Sequence, residues 1–174
     1  MHEVWRGMEE CVEQGLTKSI GISNFNIQTV TDMLAYANIP PACNQVELHP
    51  YYQNRDLMRF SEMFDIKIVS YGTLTAPDRA RGSTARNVLE DPVIKNIAVQ
   101  HNISPAQVAL AWNLNLGNIV IAKTDILDLA QENIESLSIT LSEADMDAIA
   151  SIDADEKIYN PADWEDYGFI DIFK

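Results

Sequence analysis

The chain has 174 residues, 47% of them hydrophobic and 22% charged, a composition typical of one globular domain. It contains no run of about 18 apolar residues, and its first residues lack the basic-then-apolar order of a signal peptide, so neither a membrane span nor a secretory leader is expected. The net charge of −14 argues against nucleic acid and anionic membrane as partners, because phosphates need basic groups. We therefore expect a cytoplasmic protein. The two cysteines, Cys11 and Cys43, lack metal-ligand spacing and are predicted to be buried free thiols.

The first part of the chain alternates predicted helices and strands. A helix over 5–15 carries apolar residues on one face and ends at Gly15. A strand over 19–23 follows, and Asn26 is predicted to cap a helix that ends before the prolines at 40 and 41. The next strand covers 42–48, and Asn54 is predicted to cap a third helix. The strand over 66–71 is a continuous apolar run, which is typical of a strand buried on both faces.

The alternation continues after a loop over 73–86, a length typical of functional loops. Helices are predicted over 92–100 and 104–114, a strand over 119–122 and a helix over 127–137. Ser142, with an acid three residues later, begins the last helix. Four strand–helix units predict an α/β fold with a parallel sheet, which is half of a (β/α)₈ TIM barrel.

Several segments resemble the aldo-keto reductases, specifically the xylose and aldose reductase-like members, in that family's own order. They include SIGISNFN at 19–26, NQVELHPY at 44–51, AQVALAW at 106–112 and IAKT at 121–124, and the end of the chain resembles the tail of those members. The resemblance covers essentially the whole chain. It implies that 1–174 form a single unit, the C-terminal half of the barrel: strands 5 to 8 with their helices, a C-terminal helix and a tail over 158–174.

The resemblance implies a nicotinamide cofactor, NADPH or NADH, bound at the carboxyl ends of the strands. It assigns the nicotinamide carboxamide to Ser23, Asn24 and Gln45, whose side chains offer both donors and acceptors. Tyr71 would stack on the nicotinamide ring, and Leu74 would line the loop at the pyrophosphate.

The other end of the cofactor is assigned by the same resemblance. Lys123 and Thr124 would meet the adenosine phosphate, and Glu132 and Asn133 would contact the adenine. Trp164 in the tail would line the entrance for the substrate, an aldehyde or sugar carbonyl.

Taken without the resemblance, these residues have simpler interpretations. Ser23 and Asn24 at a strand end could cap the next helix, Tyr71 could belong to the core, and Lys123 could be a surface lysine. Their joint order is what favours the cofactor site.

Two features depart from the family pattern at the adenosine end. The usual arginine that binds the 2′-phosphate is Leu129, and Asp125 adds a negative charge nearby. Because a hydrogen bond to a charged group contributes about 1.5–3 kcal/mol, we expect the preference for NADP to be weakened.

The family's catalytic Tyr, Lys, Asp and His would all lie in strands 1 to 4, so no catalytic residue is assigned here and the chain alone is predicted to be inactive. His49 is interpreted as structural. Gln45, Glu47 and His49 alternate along one strand face, but they provide only two candidate metal ligands, so no metal site is predicted.

An open four-stranded sheet has two unpaired edges. The chain could therefore pair with a second copy, bind a complementing chain, belong to a longer enzyme, or cover its exposed face with its own tail. A carbonyl substrate is expected only if an N-terminal half completes the barrel. The alternative function is a non-catalytic cofactor-binding or assembly protein on the same scaffold.

Overall fold

The computed structural model describes residues 1–75 and 86–159. Seven α-helices and four strands lie within these ranges. The helices are α1 His2–Glu13, α2 Ile27–Tyr36, α3 Arg55–Met63, α4 Pro92–His101, α5 Pro105–Asn115, α6 Leu127–Glu135 and α7 Glu143–Ala150. The strands are β1 Ile22–Ser23, β2 Cys43–Glu47, β3 Lys67–Tyr71 and β4 Ile119–Val120.

The four strands form one sheet in the order β1-β2-β3-β4, the order in which they occur along the chain. β1 and β2 pair in parallel, with Ile22 opposite Asn44 and Ser23 opposite Gln45. Parallel neighbours joined through helices form the α/β arrangement that the sequence predicts. The carboxyl ends of paired parallel strands meet at the same edge, which is where the sequence places the site residues.

The described residues divide into two compact units. The first contains Met1–Val46 and Arg55–Val69, and the second contains Glu47–Asn54 and the described residues from Ser70 onward. In the first unit, buried Trp5 of α1 packs in a core with Val30 and Met33 of α2, and its indole N–H donates to the carbonyl of Ile39. The carboxylate of Glu9 accepts hydrogen bonds from the backbone N–H groups of Asn38 and Ile39, which follow α2. These bonds hold the pKa of Glu9 below its usual value.

Helix α5 is the centre of the second unit, since seven consecutive residues, Gln107 to Asn113, are buried. At its carboxyl end Asn113 enters a buried polar cluster with Ser70 and Thr73. Its Nδ2 lies 2.6 Å from Ser70 Oγ and 3.3 Å from Thr73 Oγ1, and Ser70 Oγ donates to the carbonyl of Leu48 at 2.8 Å. The cluster fixes the turn that follows β3.

Three predicted helix starts are confirmed by capping bonds. Asn26 accepts from the N–H of Thr29, while Ser104 and Ser142 each form a reciprocal capping box. The prediction that Asn54 caps α3 is wrong, because its backbone conformation is not that of a cap residue. Asn54 immediately precedes α3, but its φ of 48° is left-handed, whereas a cap residue has an extended backbone.

Other boundaries differ from the prediction by a few residues. β1 is shorter than 19–23, α1 begins at His2 rather than at residue 5, and α6 ends at Glu135 with a 3₁₀ turn, Ser136–Ser138, continuing it. The cysteines are free as expected, but both are partly exposed, so the prediction of buried thiols is wrong. Most of the loop predicted over 73–86 and of the tail predicted over 158–174 lies outside the described residues.

The buried cluster around Asn113 predicts a large stability effect from a small change. Asn113→Ala removes the donor to Ser70 and Thr73 in a site without solvent, so we expect the free energy of unfolding to fall by about 1–3 kcal/mol. Urea denaturation followed by circular dichroism measures this. Val99→Ala, on the exposed face of α4, is the control and should change stability by less than about 0.5 kcal/mol. Equal losses in the two variants would contradict this account.

Candidate functional site

The first unit places three predicted site residues at the ends of β1 and β2. The hydroxyl of Ser23 donates to the backbone carbonyl of Gln45 at 3.0 Å, and the side-chain nitrogen of Asn24 donates to Ser23 Oγ at 2.9 Å. The backbone N–H of Asn24 also donates to the carbonyl of Gln45, at 2.9 Å. The three residues predicted to hold a carboxamide therefore lie together at one sheet edge.

Backbone geometry explains the residue type at this edge. Asn24 has a φ of 60°, in the left-handed region that asparagine tolerates better than most side chains. The chain beyond it is held by Asn44, which is fully buried and donates to the carbonyl of Phe25 at 2.8 Å. Asn44 has no role predicted from the sequence. Its position on the strand could have indicated a buried role, because it lies one residue before Gln45 and so points to the opposite face of β2.

The side-chain amide of Gln45 is the group best suited to receive a ligand. It is half-buried, and it makes no hydrogen bond to any residue in 1–75 or 86–159. A primary amide has two donors and one acceptor oxygen, which complement those of a carboxamide. The donor set at this edge fits the nicotinamide carboxamide that the sequence predicts.

In the second unit, Tyr71 is the last residue of β3 and is half-buried. Its ring lies 5.8 Å from that of Tyr159 at an angle of 68°. Burial, followed by the negative charge of Glu47, raises the pKa of the Tyr71 phenol to about 12. Tyr71 is therefore a neutral phenol at physiological pH and presents an uncharged aromatic ring.

The turn after Tyr71 carries the predicted loop residue Leu74, which is half-buried. Gly72 has a φ of 70°, and the Ser70, Thr73 and Asn113 cluster holds the backbone on either side of it. The sequence does not predict this cluster, because Asn113 lies 40 residues from Thr73 along the chain.

The predicted adenosine residues lie at β4 and α6 of the same unit. Lys123 is exposed, and no acidic side chain in the described ranges pairs with it. The hydroxyl of Thr124 accepts the N–H of Ile126 at 3.1 Å at the start of α6. Glu132 accepts a hydrogen bond from the Ser104 hydroxyl at the start of α5.

Asn133 and Thr124 also line a cleft of about 330 Å³ between α5, β4 and α6. The rest of its lining is aliphatic and comprises Leu110, Leu114, Val120, Ala122, Ala130, Ile134 and Leu137. This lining lacks the charged groups that a phosphate needs. We therefore associate the predicted phosphate contact with Lys123, outside the cleft.

His49 is fully buried and its Nε2 lies 3.0 Å from a carboxylate oxygen of Glu47. Its Nδ1 has no partner within the described ranges.

The structure gives no group of three or more metal-ligating side chains in those ranges. None of the described helices is long and apolar enough to cross a bilayer. Trp164, the predicted substrate residue, lies outside the described residues.

Known proteins with similar sequences identify the family. The model of the aldo/keto reductase family matches residues 1–154. Aldose reductase B of Dictyostelium discoideum is 37% identical over 164 residues, covering 94% of this chain and 50% of its own length. The NAD(P)H-dependent D-xylose reductase xyl1 of Hypocrea jecorina is 34% identical, covering 94% of this chain and 52% of its own length. The NADH-dependent D-xylose reductase of Candida parapsilosis is 34% identical, with 93% and 52% covered.

The chain thus spans about half the length of these curated relatives. The family match extends over most of the chain and ends before the tail, and it includes every predicted cofactor residue. The chain belongs to the aldo/keto reductase family.

Proposed function

We propose that this chain is the C-terminal half of an NAD(P)H-dependent carbonyl reductase and forms the part of the enzyme that binds the cofactor. The single observation that carries the proposal is the group at the ends of β1 and β2, where Ser23, Asn24 and the half-buried amide of Gln45 lie together. Relatives named as aldose and xylose reductases support carbonyl reduction as the reaction class.

In this proposal each group has a defined task at the cofactor. In the first unit Gln45 and Asn24 would orient the carboxamide. In the second unit the uncharged Tyr71 ring is the group that the resemblance assigns to one face of the nicotinamide. Holding the ring in one orientation determines which face can deliver hydride and removes rotational freedom before reaction. When bound, the cofactor would supply a hydride to the carbonyl carbon of an aldehyde or sugar.

The proton that the product oxygen needs has no assigned donor among the described residues. The Tyr71 phenol, with its pKa raised to about 12, is committed to the nicotinamide face, and His49 is enclosed with no exposed surface. The proposal therefore places the proton donor in the half of the enzyme that this chain does not cover.

The adenosine end is proposed to favour NADP weakly. Lys123 can form one ion pair with a phosphate, but Leu129, at the position of the family's arginine, is apolar and 43% exposed. Asp125, also exposed, opposes a second phosphate charge. One relative is NADH-dependent by name and another uses both cofactors, so the family tolerates either choice.

The partner in this proposal is the half of the relatives that the chain does not match. α6 has no buried residue, and the segment around it exposes a series of large apolar side chains. These are Ile119, Ile121, Ile126, Leu127, Leu129, Ile134 and Leu137, which we call the α6 apolar surface. A group of exposed large apolar side chains is typical of an interaction surface, and it also favours the second candidate function, an assembly protein without catalysis.

Cofactor binding gives the first test of the proposal. Titration of the purified chain by nucleotide fluorescence should give dissociation constants for NADPH and NADH that differ by less than about tenfold. Leu129→Arg should then tighten NADPH binding roughly tenfold or more, by restoring a charged hydrogen bond, and should leave NADH unchanged. Leu127→Arg adds the same charge two residues away on α6 and serves as the matched control. A wild-type chain that prefers NADPH beyond tenfold, or an equal effect of both arginines, would contradict the proposal.

Turnover gives the second test. The 174-residue chain alone should show no oxidation of NADPH that depends on an added aldehyde, because its proton donor lies elsewhere. The measurement is the decrease in absorbance at the nicotinamide band, compared with a heat-inactivated sample. Turnover above that background would show that the chain carries a complete catalytic set.

The α6 apolar surface gives the third test. The part of the Dictyostelium relative that this chain does not match should co-purify with the chain when the two are expressed together. Leu127→Lys combined with Leu137→Lys should abolish co-purification, because both side chains are strongly exposed and would place charge in an apolar interface. Val99→Lys, on α4, is the control. A complex that contains only two copies of this chain would identify the partner as a second copy.

A further inference from the structure

Glu47 is a buried carboxylate that the proposed function does not use. It is the last residue of β2 and only 4% exposed. One of its oxygens, Oε1, lies 3.0 Å from Nε2 of His49 and 2.6 Å from the backbone nitrogen of Ile158. The backbone nitrogen of Tyr159 lies 3.2 Å from Oε2.

Three N–H donors thus converge on one carboxylate within the second unit. A buried charge is costly unless hydrogen bonds replace its water, and here a ring N–H and two main-chain N–H groups do so. The Ile158 and Tyr159 N–H groups lie more than 110 positions from Glu47 along the chain. Glu47 therefore anchors this distant segment by its backbone rather than by a side chain.

The anchored backbone determines where the Tyr159 ring lies. The ring packs against Tyr71 edge-to-face, with centroids 5.8 Å apart. It also lies directly over Gly72, where a Cβ would come within 2.8 Å of Tyr159 Cε2. The absence of a side chain at Gly72 makes room for this contact.

We propose that Glu47 is a positioning residue for Tyr71: its buried carboxylate holds the backbone of Ile158 and Tyr159, and Tyr159 in turn fixes the ring of Tyr71. His49 Nε2 lies 3.0 Å from the same carboxylate and, with its proton on Nε2, donates to it. The consequence for cofactor affinity rests on the proposed function, whereas the coupling between Glu47 and the Tyr71 ring does not.

The hydrogen bonds to Glu47 favour a segment that stays in place beside Tyr71 over one that moves away from it. Releasing the segment would remove two of the three donors from a carboxylate that is only 4% exposed. The charge of Glu47 also contributes to the raised pKa of Tyr71, which agrees with the proximity of the two groups.

The experiment compares Glu47→Gln with Tyr159→Leu in the full chain carrying ¹³C-labelled tyrosine rings. The Tyr71 signal is assigned by its loss in Tyr71→Phe. Tyr159→Leu should shift the Tyr71 signal by removing a neighbouring ring current. Glu47→Gln should shift the same signal, although it leaves the Tyr159 side chain intact, because a glutamine has one acceptor oxygen for three donors. Amide hydrogen exchange at residues 158 and 159 should become faster in Glu47→Gln.

Cofactor titration supplies the functional readout. Both variants should weaken NADH binding roughly threefold to tenfold, the effect of one lost aromatic contact. Asp155→Asn is the control, because Asp155 is exposed in the same segment and asparagine suits its φ of 51°. This variant should leave the Tyr71 signal, the exchange rates and NADH binding unchanged.

The outcomes separate this proposal from the proposed function. An unchanged Tyr71 signal in Glu47→Gln would overturn the positioning role, even if exchange at 158 and 159 became faster. Tighter NADH binding in Tyr159→Leu would also overturn it, since Tyr159 would then obstruct the ring. A wild-type chain that binds neither nucleotide would refute the cofactor site, while the Tyr71 signal would still decide the role of Glu47. If Glu47→Gln does not fold, an unchanged Tyr71 signal in Tyr159→Leu overturns the proposal.

Discussion

The register between β1 and β2 is the constraint on which the candidate site depends. Ser23 lies opposite Gln45, so the Gln45 carbonyl receives both the Ser23 hydroxyl and the Asn24 N–H. A slip of one residue would turn the Gln45 amide to the opposite face of the sheet and bring Asn44 or Val46 into its place. The two strand residues of β1 therefore determine the chemistry available at this edge.

Buried polar side chains maintain that register and the turns beyond it. Asn44 binds both backbone groups of Phe25, and Asn113 binds Ser70 and Thr73 at the end of β3. Each makes hydrogen bonds without access to water, so a shifted arrangement would leave donors unpaired at substantial cost. Apolar packing supplies most of the stability, whereas these amides specify the conformation of the loops.

The sequence predicted the order of elements and three of the caps because these depend on local patterns. Asn26, Ser104 and Ser142 act within four residues of their own helices. The grouping of Ser23 with Gln45 was implied by the family resemblance, and the parallel pairing of β1 and β2 brings the two residues together. The bonds from Glu47 to Ile158 and from Asn113 to Ser70 could not be predicted, because they join residues 111 and 43 positions apart. No periodic pattern records such contacts.

Helix α6 has a consequence for the energetics of ligand binding. It is nine residues long and has no fully buried side chain, so in isolation it is near the limit at which a helix is stable in water. A ligand that bridged Lys123 and Asn133 would contact both the residues before this helix and the helix itself. Ordering the backbone would offset part of its binding free energy. The measured affinity would therefore depend on temperature and on any neighbour that already orders α6.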